Sequence, residues 1–543
     1  PEMSGAFADS SPAALNDVQP TVVTDAKPLA APGGQDSTVS ADQPAGPAEI
    51  EMALKLDPAE RSAVQRLLAA AGVEVGGFDG EFGAKTRAGI VAVQNGAGLP
   101  ATGYLEPRTL RLIVKMSAGR VLRGELDDTS RDAIHRVAAT GEHGTDAAAT
   151  VLRVAAMSRS AEVHAYWLEL ARGFEADHPG YRVIIEHQRS DDYKRNLLGM
   201  LGSTTPPDVM HTWGGGHLDA LRQAGFVRDL TDEMSGGWAL EFRPGALQNY
   251  SYDGHIYGAP TFVGLVSLWA NSALLEKAGV APEQLQTWDG FMGAVRDLKA
   301  VGITPIAIGG RDRWPFQFIW GSLAERIGGP GVFETALAGQ NGGFQAPPFA
   351  EASDRLRDLA ALDPFQAGFV EATEDAAGMS FAKGEAAMVI TGNWRLNTMR
   401  WNWPGGQEKM RSELLLLDFP EVGAPEEGLT YGGVDGYAVN VKAPDLAVDL
   451  ARLLTSEAVQ TRISDLATAV PSVSGSDLNL SDPFLSNVAE ELLASRDHQL
   501  YYDQALGPVA GELLNDVTLE LGLGRLASDE ATQRIEEAAA QLR

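Results

Sequence analysis

Pro206-Pro207-Asp208-Val209-Met210-His211-Thr212-Trp213-Gly214-Gly215-Gly216 decides how the chain is read. Pro207 has no N–H to give, and each proline restricts the residue before it, so the pair ends any preceding helix. Val209-Met210 then reads as the end of a buried strand that runs out into Trp213 and three glycines. Glycine lets a backbone approach another group closely, and an aromatic plate beside it offers a flat apolar face. In an open α/β sheet, ligands bind just past the carboxyl ends of strands. The same stretch also reads as a tryptophan at a core edge followed by a loop, so its neighbours have to decide.

Upstream, Val151-Leu152-Arg153-Val154-Ala155-Ala156 reads as a strand. A helix then places Trp167, Leu170, Ala171 and Phe174 on one face, and Tyr181-Arg182-Val183-Ile184-Ile185-Glu186 is a second strand. Strands alternating with helices predict a largely parallel sheet. Downstream come Gly254-His255-Ile256-Tyr257-Gly258-Ala259-Pro260, Trp269-Ala270-Asn271, and a helix opened by Trp288-Asp289-Gly290-Phe291. Gly309-Gly310-Arg311-Asp312-Arg313-Trp314-Pro315, Gly384-Glu385-Ala386-Ala387-Met388 running into Gly392-Asn393-Trp394-Arg395, and Gly432-Gly433-Val434-Asp435-Gly436-Tyr437 complete the series. This order of blocks, over residues 149–543, resembles the sugar-binding branch of the extracellular solute-binding proteins, the maltose-binding-protein-like receptors of ABC importers.

The chain has 543 residues, too many for one ordinary core, with 44% hydrophobic and 21% charged residues. Its 73 acids against 43 bases leave a net charge of −30, which argues against nucleic acid and anionic membranes as partners. With no cysteine there is no disulfide, thiolate metal site or lipid-modified Cys anchor. No run of 18 or more apolar residues suggests a membrane span. The chain begins at Pro1 rather than Met, compatible with a removed export signal or with trimming.

Residues 1–48 are rich in Ala, Pro, Ser, Asp and Gly and read as a disordered, acidic leader, since they cannot bury enough surface to offset ordering entropy. In residues 50–116, Val64, Leu67, Leu68 and Ala71 lie at helical spacing before Gly72. Asp79-Gly80 signals a tight turn, a second helix carries Thr86, Ile90 and Val93, and a third short one holds Leu110 and Ile113. Gln65, Leu68, Asp79-Gly80, Phe82-Gly83, Thr86-Arg87, Gln94, Gly98-Leu99, Thr102-Gly103 and Leu105 together resemble the three-helix peptidoglycan-binding domains. Residues 117–149 read as a linker with one helix, where His135 and His143 are solvated rather than metal-bound.

The resemblances imply an α/β two-lobed periplasmic-binding-protein fold with a hinge, preceded by a small all-α domain. They place the first lobe at 150–260 and 390–430, and the second at 265–385 and 437–543. A sugar presents apolar C–H faces that stack on aromatic rings and hydroxyls that take directional hydrogen bonds. Trp213, Trp269, Trp314 and Trp394 are therefore expected as plates, with Gly214 beside the first. Asn271, Gln317, Asn393, Arg395 and Asp435 are the expected polar partners, and Glu162, His164 and Asp192 further contacts. The expected mechanism is hinge closure on a carbohydrate, with no catalysis and no cofactor. The expected partners are ABC permease subunits in the inner membrane and peptidoglycan, for a monomer in the periplasm. Two rivals stay open. One is a wall-associated sensor or scaffold. The other is a wall glycan hydrolase, although a glycosidase needs two flanking carboxylates and His211 and His217 lack a third ligand for a zinc amidase.

Overall fold

The computed structural model describes residues 47–543 apart from 55, 57, 107–108, 111, 114–115, 117–148, 158–159, 424–427, 468 and 476–479. The leader up to residue 46 and the linker helix lie outside the described residues. The helix Pro47–Ala53 begins where the leader was expected to end.

The first unit packs helices Pro58–Ala70 and Ala84–Gly96 around Val64, Leu67, Leu68, Ile90, Val93, Leu105, Leu110 and Ile113. Two buried glutamines brace its loops in the same way. Gln65 Nε2 donates to Asp79 Oδ1 at 2.9 Å and to Glu81 O at 2.8 Å, while its Oε1 accepts the Gly80 N–H at 2.8 Å. Gln94 Nε2 donates to Thr102 Oγ1 and Tyr104 O, both at 3.0 Å, and its Oε1 accepts the Gly103 N–H at 2.9 Å. Gly80 and Gly103 both take positive φ, +77° and +72°, which explains glycine at each. The unit thus uses one loop design twice. A Gln94→Leu substitution strands the Gly103 N–H and the Tyr104 carbonyl. It is expected to cost this unit about 2–3 kcal/mol, read as a lower urea midpoint by hydrogen exchange over residues 58–106.

The second unit is built on β1 (Thr150–Met157), β2 (Tyr181–Gln188), β3 (Val209–Thr212), a hairpin of β4 (Ser251–Tyr252) and β5 (His255–Ile256), and the long β6 (Ala259–Asn271). It continues with β7 (Thr304–Ala307), β8 (Ala386–Gly392), β9 (Leu414–Leu417), β10 (Leu429–Val439), β11 (Val470–Pro471) and β12 (Asp497–Leu500). The main path is β2-β1-β3-β10-β6-β8-β7. β1 pairs in parallel with β2 and β3, as the alternating pattern predicts, whereas β10 runs antiparallel to β3 and β6.

β6 and β10 run through both lobes. Their outer parts, Ala259 with Tyr437 and Pro260 with Gly436, belong to the first lobe, whose cores gather Leu152, Trp167, Phe174 and Val439 on one face and Tyr193, Met210 and Trp213 on the other. Past Gly264, β6 pairs with β8 and β9 among the second lobe's cores, which include Phe291, Phe316, Trp320 and Leu514, and Trp269, Phe381 and Trp403. The expected return of 390–430 to the first lobe is therefore corrected. β8 and β9 ladder onto the second half of β6, while helices Leu446–Leu454 and Glu457–Ala467 put Val448, Leu450, Val459 and Ile463 into the first lobe's core. A strand ending in a glycine–aromatic loop looks alike in either lobe, and the local pattern does not say which sheet it joins. No described helix is long and apolar enough to cross a membrane.

Candidate functional site

The lobes meet where Gly264 of β6 pairs with Gly433 of β10. A side chain on either would crowd the second lobe, most severely at Gly433. A Cβ on Gly264 would lie 3.0 Å from the Tyr501 hydroxyl and 3.2 Å from the Trp394 ring, and one on Gly433 only 2.3 Å from Tyr501 Cε2. The glycines make room for an aromatic corner on the second lobe. Tyr501 stands perpendicular to Trp394 at 6.3 Å and 4.9 Å from Phe318, and Trp314 lies 6.5 Å from Trp394. Three polar atoms here, the Tyr501 hydroxyl, Trp314 Nε1 and the neighbouring Gln504 Oε1, are buried without a hydrogen-bond partner in the protein. Each such orphan costs about 1–3 kcal/mol unless something from outside binds it. Burial, then the charges of Asp435, Asp503 and Glu374, push the Tyr501 phenol well up, so it is a permanent donor.

The facing wall comes from the first lobe. Trp213, at the end of β3, packs edge-on against Tyr193 at 5.8 Å and His211 at 4.9 Å. Lys194 Nζ sits 5.1 Å above the Trp213 ring and 4.0 Å from Asp503 Oδ2 of the second lobe, so one ammonium touches both sides. Arg189 and Asp375 make a second cross-lobe pair at 3.4 Å. Asp435 Oδ1 lies 3.8 Å from His211 Nε2. Burial, helped by the Lys194 charge, lowers His217 to about 3 and keeps it neutral.

Arg395 supports the corner from behind. Its Nε donates to both Glu374 oxygens, at 2.8 and 2.6 Å, and Nη1 pairs with Asp375. Glu374 is 4% exposed and also accepts from Thr391 Oγ1 at 2.7 Å and Trp394 Nε1 at 3.3 Å. Burial opposes the guanidinium charge, but Glu374 and Asp375 outweigh it and raise the Arg395 pKa.

Of the residues expected from the sequence, Trp213, Trp314, Trp394 and Asp435 lie at this seam. Arg395 is beside it but engaged with carboxylates. The remainder are placed elsewhere or otherwise occupied. Trp269 is 0% exposed and donates to Thr391 O at 3.0 Å, leaving no face for a ligand. Asn271 caps helix Ser272–Lys277 by accepting the Leu274 N–H at 3.2 Å. Gln317 is buried and accepts from the Tyr431 hydroxyl at 2.5 Å. Asn393 Oδ1 holds the Leu265 N–H at 2.9 Å, pinning β6 just past the glycine. Glu162 is exposed in the first turn of helix Ala161–Asp177, His164 packs edge-on to His187 at 4.4 Å, and Asp192 pairs with Arg195.

The glycine run serves packing rather than close approach to a ligand. A Cβ on Gly214 would meet Asn249 O at 2.8 Å, and one on Gly216 would meet Ala505 O at 2.4 Å. Helix Gly215–Gln223 thus presses backbone to backbone on helix Tyr502–Gly522, where the latter breaks at Gly507 (φ 78°) before Pro508. Sequence reasoning missed Tyr501, Phe318, Gln504, Lys194, Asp503 and Glu374. The detectable signal was Tyr501-Tyr502 directly ahead of a helix interrupted by Gly507-Pro508.

Residues 159–461 match the family model described as "Bacterial extracellular solute-binding protein", and residues 57–113 match "Putative peptidoglycan binding domain". An uncharacterised ABC transporter extracellular-binding protein of Pyrococcus horikoshii is 22% identical over 376 residues, 67% of this chain and 82% of that one. A "Probable sugar-binding periplasmic protein" of Mesorhizobium japonicum is 29% identical over 203 residues, 36% of this chain and 47% of that one. Among solved structures, a chitin oligosaccharide binding protein superposes with a TM-score of 0.64 at 22% identity, covering 72% of this chain and 98% of that one. A protein from work on xylan utilisation by Caldanaerobius polysaccharolyticus gives 0.65 at 24%, covering 71% and 99%. At these identities the structures establish the two-lobed fold. The family model spans more than half of the chain and falls on the lobes that β6 and β10 join, so this protein belongs to the bacterial extracellular solute-binding proteins.

Proposed function

We propose that the seam between the lobes is the ligand site of an ABC-importer receptor and that it takes a sugar or oligosaccharide. The observation that carries this is the aromatic corner with orphaned polar atoms. Trp394, Trp314 and Phe318 supply the faces on which C–H surfaces stack, and the Tyr501 hydroxyl, Trp314 Nε1 and Gln504 Oε1 supply the directional groups that hydroxyls need. A ligand touching both Trp213 and Trp394 favours the closed arrangement through contacts the open one lacks, which is all that closure requires. The closed receptor then delivers its load to permease subunits of the inner membrane, as an exported periplasmic protein. No cofactor enters the scheme. The domain at 57–113 would hold the receptor near peptidoglycan.

A thermal-shift screen of the whole chain against mono- and oligosaccharides tests the reading. A ligand at 100 times its Kd stabilises the folded state by about 2.7 kcal/mol, and Trp394→Ala and Tyr501→Phe should abolish or sharply reduce the shift. A sugar-induced shift that both variants retain would place the ligand elsewhere. No shift with any sugar would transfer the weight to the sensor or scaffold reading. Tethering predicts that the chain pellets with purified sacculi at moderate salt, and its staying in the supernatant would refute that part alone.

A further inference from the structure

Glu51 lies on the short helix Pro47–Ala53, ahead of the stretch that matches the peptidoglycan-binding family at 57–113. Its carboxylate reaches into the second glutamine-braced loop. Oε2 accepts the Leu105 N–H and Arg87 Nη1, each at 2.5 Å, and Oε1 accepts Arg87 Nη2 at 2.6 Å. The guanidinium is fixed in turn: Nη1 also donates to Gly103 O at 3.1 Å, and the group lies 4.6 Å from the Tyr104 ring and 5.4 Å from the Phe82 ring. A rigid two-pronged donor, an additional backbone N–H and two flanking rings make a cradle shaped for one carboxylate.

Among the described side chains of the helix, Glu51 is the one that bonds to the cradle. Among the described side chains of Pro47–Ala53, none is in the core, and Met52 is 69% exposed. The nearest core residues, Leu54 and Leu56, come after the helix. Seven residues are too few for a helix that stands alone in water. Every donor of the cradle lies inside the family-matched module, and its occupant lies outside it.

We propose that the Arg87–Leu105 cradle is a binding site for the free carboxylate of an external ligand, and that Glu51 is an internal stand-in which must leave for that ligand to enter. The rings of Tyr104, 36% exposed, and Phe82 would flank a small apolar group next to the carboxylate. A peptide C-terminus and an acidic sugar share this chemistry. The tethered Glu51 competes at high effective concentration, so the native chain binds weakly and the chain without that carboxylate binds more tightly. This rests on the helical domain alone and stands whether or not the seam binds sugar.

The test uses the whole chain with hydrogen exchange and calorimetry. The probes are acetyl-D-alanyl-D-alanine, N-acetylmuramic acid, and the amide of each. The expected result is that one carboxylate probe, and not its amide, speeds exchange over residues 47–53. Glu51→Gln should bind that probe about tenfold tighter, and Arg87→Lys, which keeps the charge but loses the fork, should weaken binding in both backgrounds. Whichever probe acts identifies the source of the carboxylate. A probe bound at the interlobe seam would instead alter exchange around residues 501–507. Unchanged protection of 47–53 under saturating probe, or a Glu51→Gln chain with no gain in affinity, overturns the proposal. So does unfolding of the helical domain in Glu51→Gln, because the pair would then be a structural ion pair.

Discussion

An Arg395→Met variant is expected to lose about 3–5 kcal/mol of stability in the second lobe, because it leaves a buried carboxylate without its counter-charge. Glu374 is held by Arg395, Thr391 and Trp394, and its side chain is 5% exposed against 16% for Arg395. Removing only the cation leaves the Glu374 carboxylate buried without its counter-charge. The double variant Arg395→Met, Glu374→Gln should recover much of the loss, since a buried pair replaced as a whole is often close to neutral. Urea unfolding of the four proteins of this cycle measures the coupling directly. An interaction below about 1 kcal/mol would show that the pair behaves as a surface bridge. Trp394 Nε1 leans on the same carboxylate, so the single variant should also weaken ligand binding more than the double one.

Stability is expected to fall between pH 6.5 and 8 by an amount large enough to dominate the melting curve. Glu325 is 2% exposed, and burial pushes its carboxyl up to about 8 from an ordinary 4.5. Burial, and then the neighbouring Asp418, raises Glu491 in the same sense. An acid whose pKa is raised on folding contributes stability that is complete below its unfolded value and is lost as pH rises through its folded value. The slope is about 1.4 kcal/mol per pH unit per group, or roughly 3–5 kcal/mol for Glu325 across its window. His217 and His498 act oppositely. Burial lowers them to about 3 and about 4, so their contribution is present above 6.5 and is lost as pH falls through those values. Between 4.5 and 6.5 the two effects offset, and these four groups predict a plateau there with a decline on either side. Calorimetric melting from pH 5 to 9 should show the alkaline decline, and Glu325→Gln should roughly halve its slope, Glu491 supplying the rest. An unchanged slope in that variant would mean that Glu325 is ionised in the native protein.

The alternation of strand and helix was legible in the sequence because buried strands and amphipathic helices have different periods, and β1 to β3 follow it. The glutamine-braced domain was legible too, since Asp79-Gly80 and Thr102-Gly103 need glycine for the same conformational reason. The site was less so. Trp269 and Trp394 were both expected as plates at strand ends, yet one is sealed in a core and the other stands at the seam. Trp269 lies within β6, laddered to β8 and β9 on either side, whereas Trp394 lies in the turn past the end of β8, and which of these a tryptophan joins is set by sheet pairing rather than local sequence. Tyr501 escaped because β12, which delivers it, is a four-residue polar strand that finds its place only by pairing with β10. The Gly214-Gly215-Gly216 run was noticed for the right property, close backbone approach, but the objects approached belong to the chain itself: Asn249 for Gly214, and Ala505 and Gly507 for Gly216.

That last contact limits how the lobes can move. β6 and β10, side by side, amount to a narrow ribbon, and a ribbon can twist about its length as readily as it bends. Helix Tyr502–Gly522, belonging to one lobe and pressed on the glycines of the other, is an attachment additional to that ribbon. Twisting would pull Gly216 from Ala505, whereas bending can be absorbed where Gly507 and Pro508 already interrupt the helix. Lobe motion is therefore expected to be bending far more than twisting, and a ligand would then have less relative orientation to fix when the lobes come together.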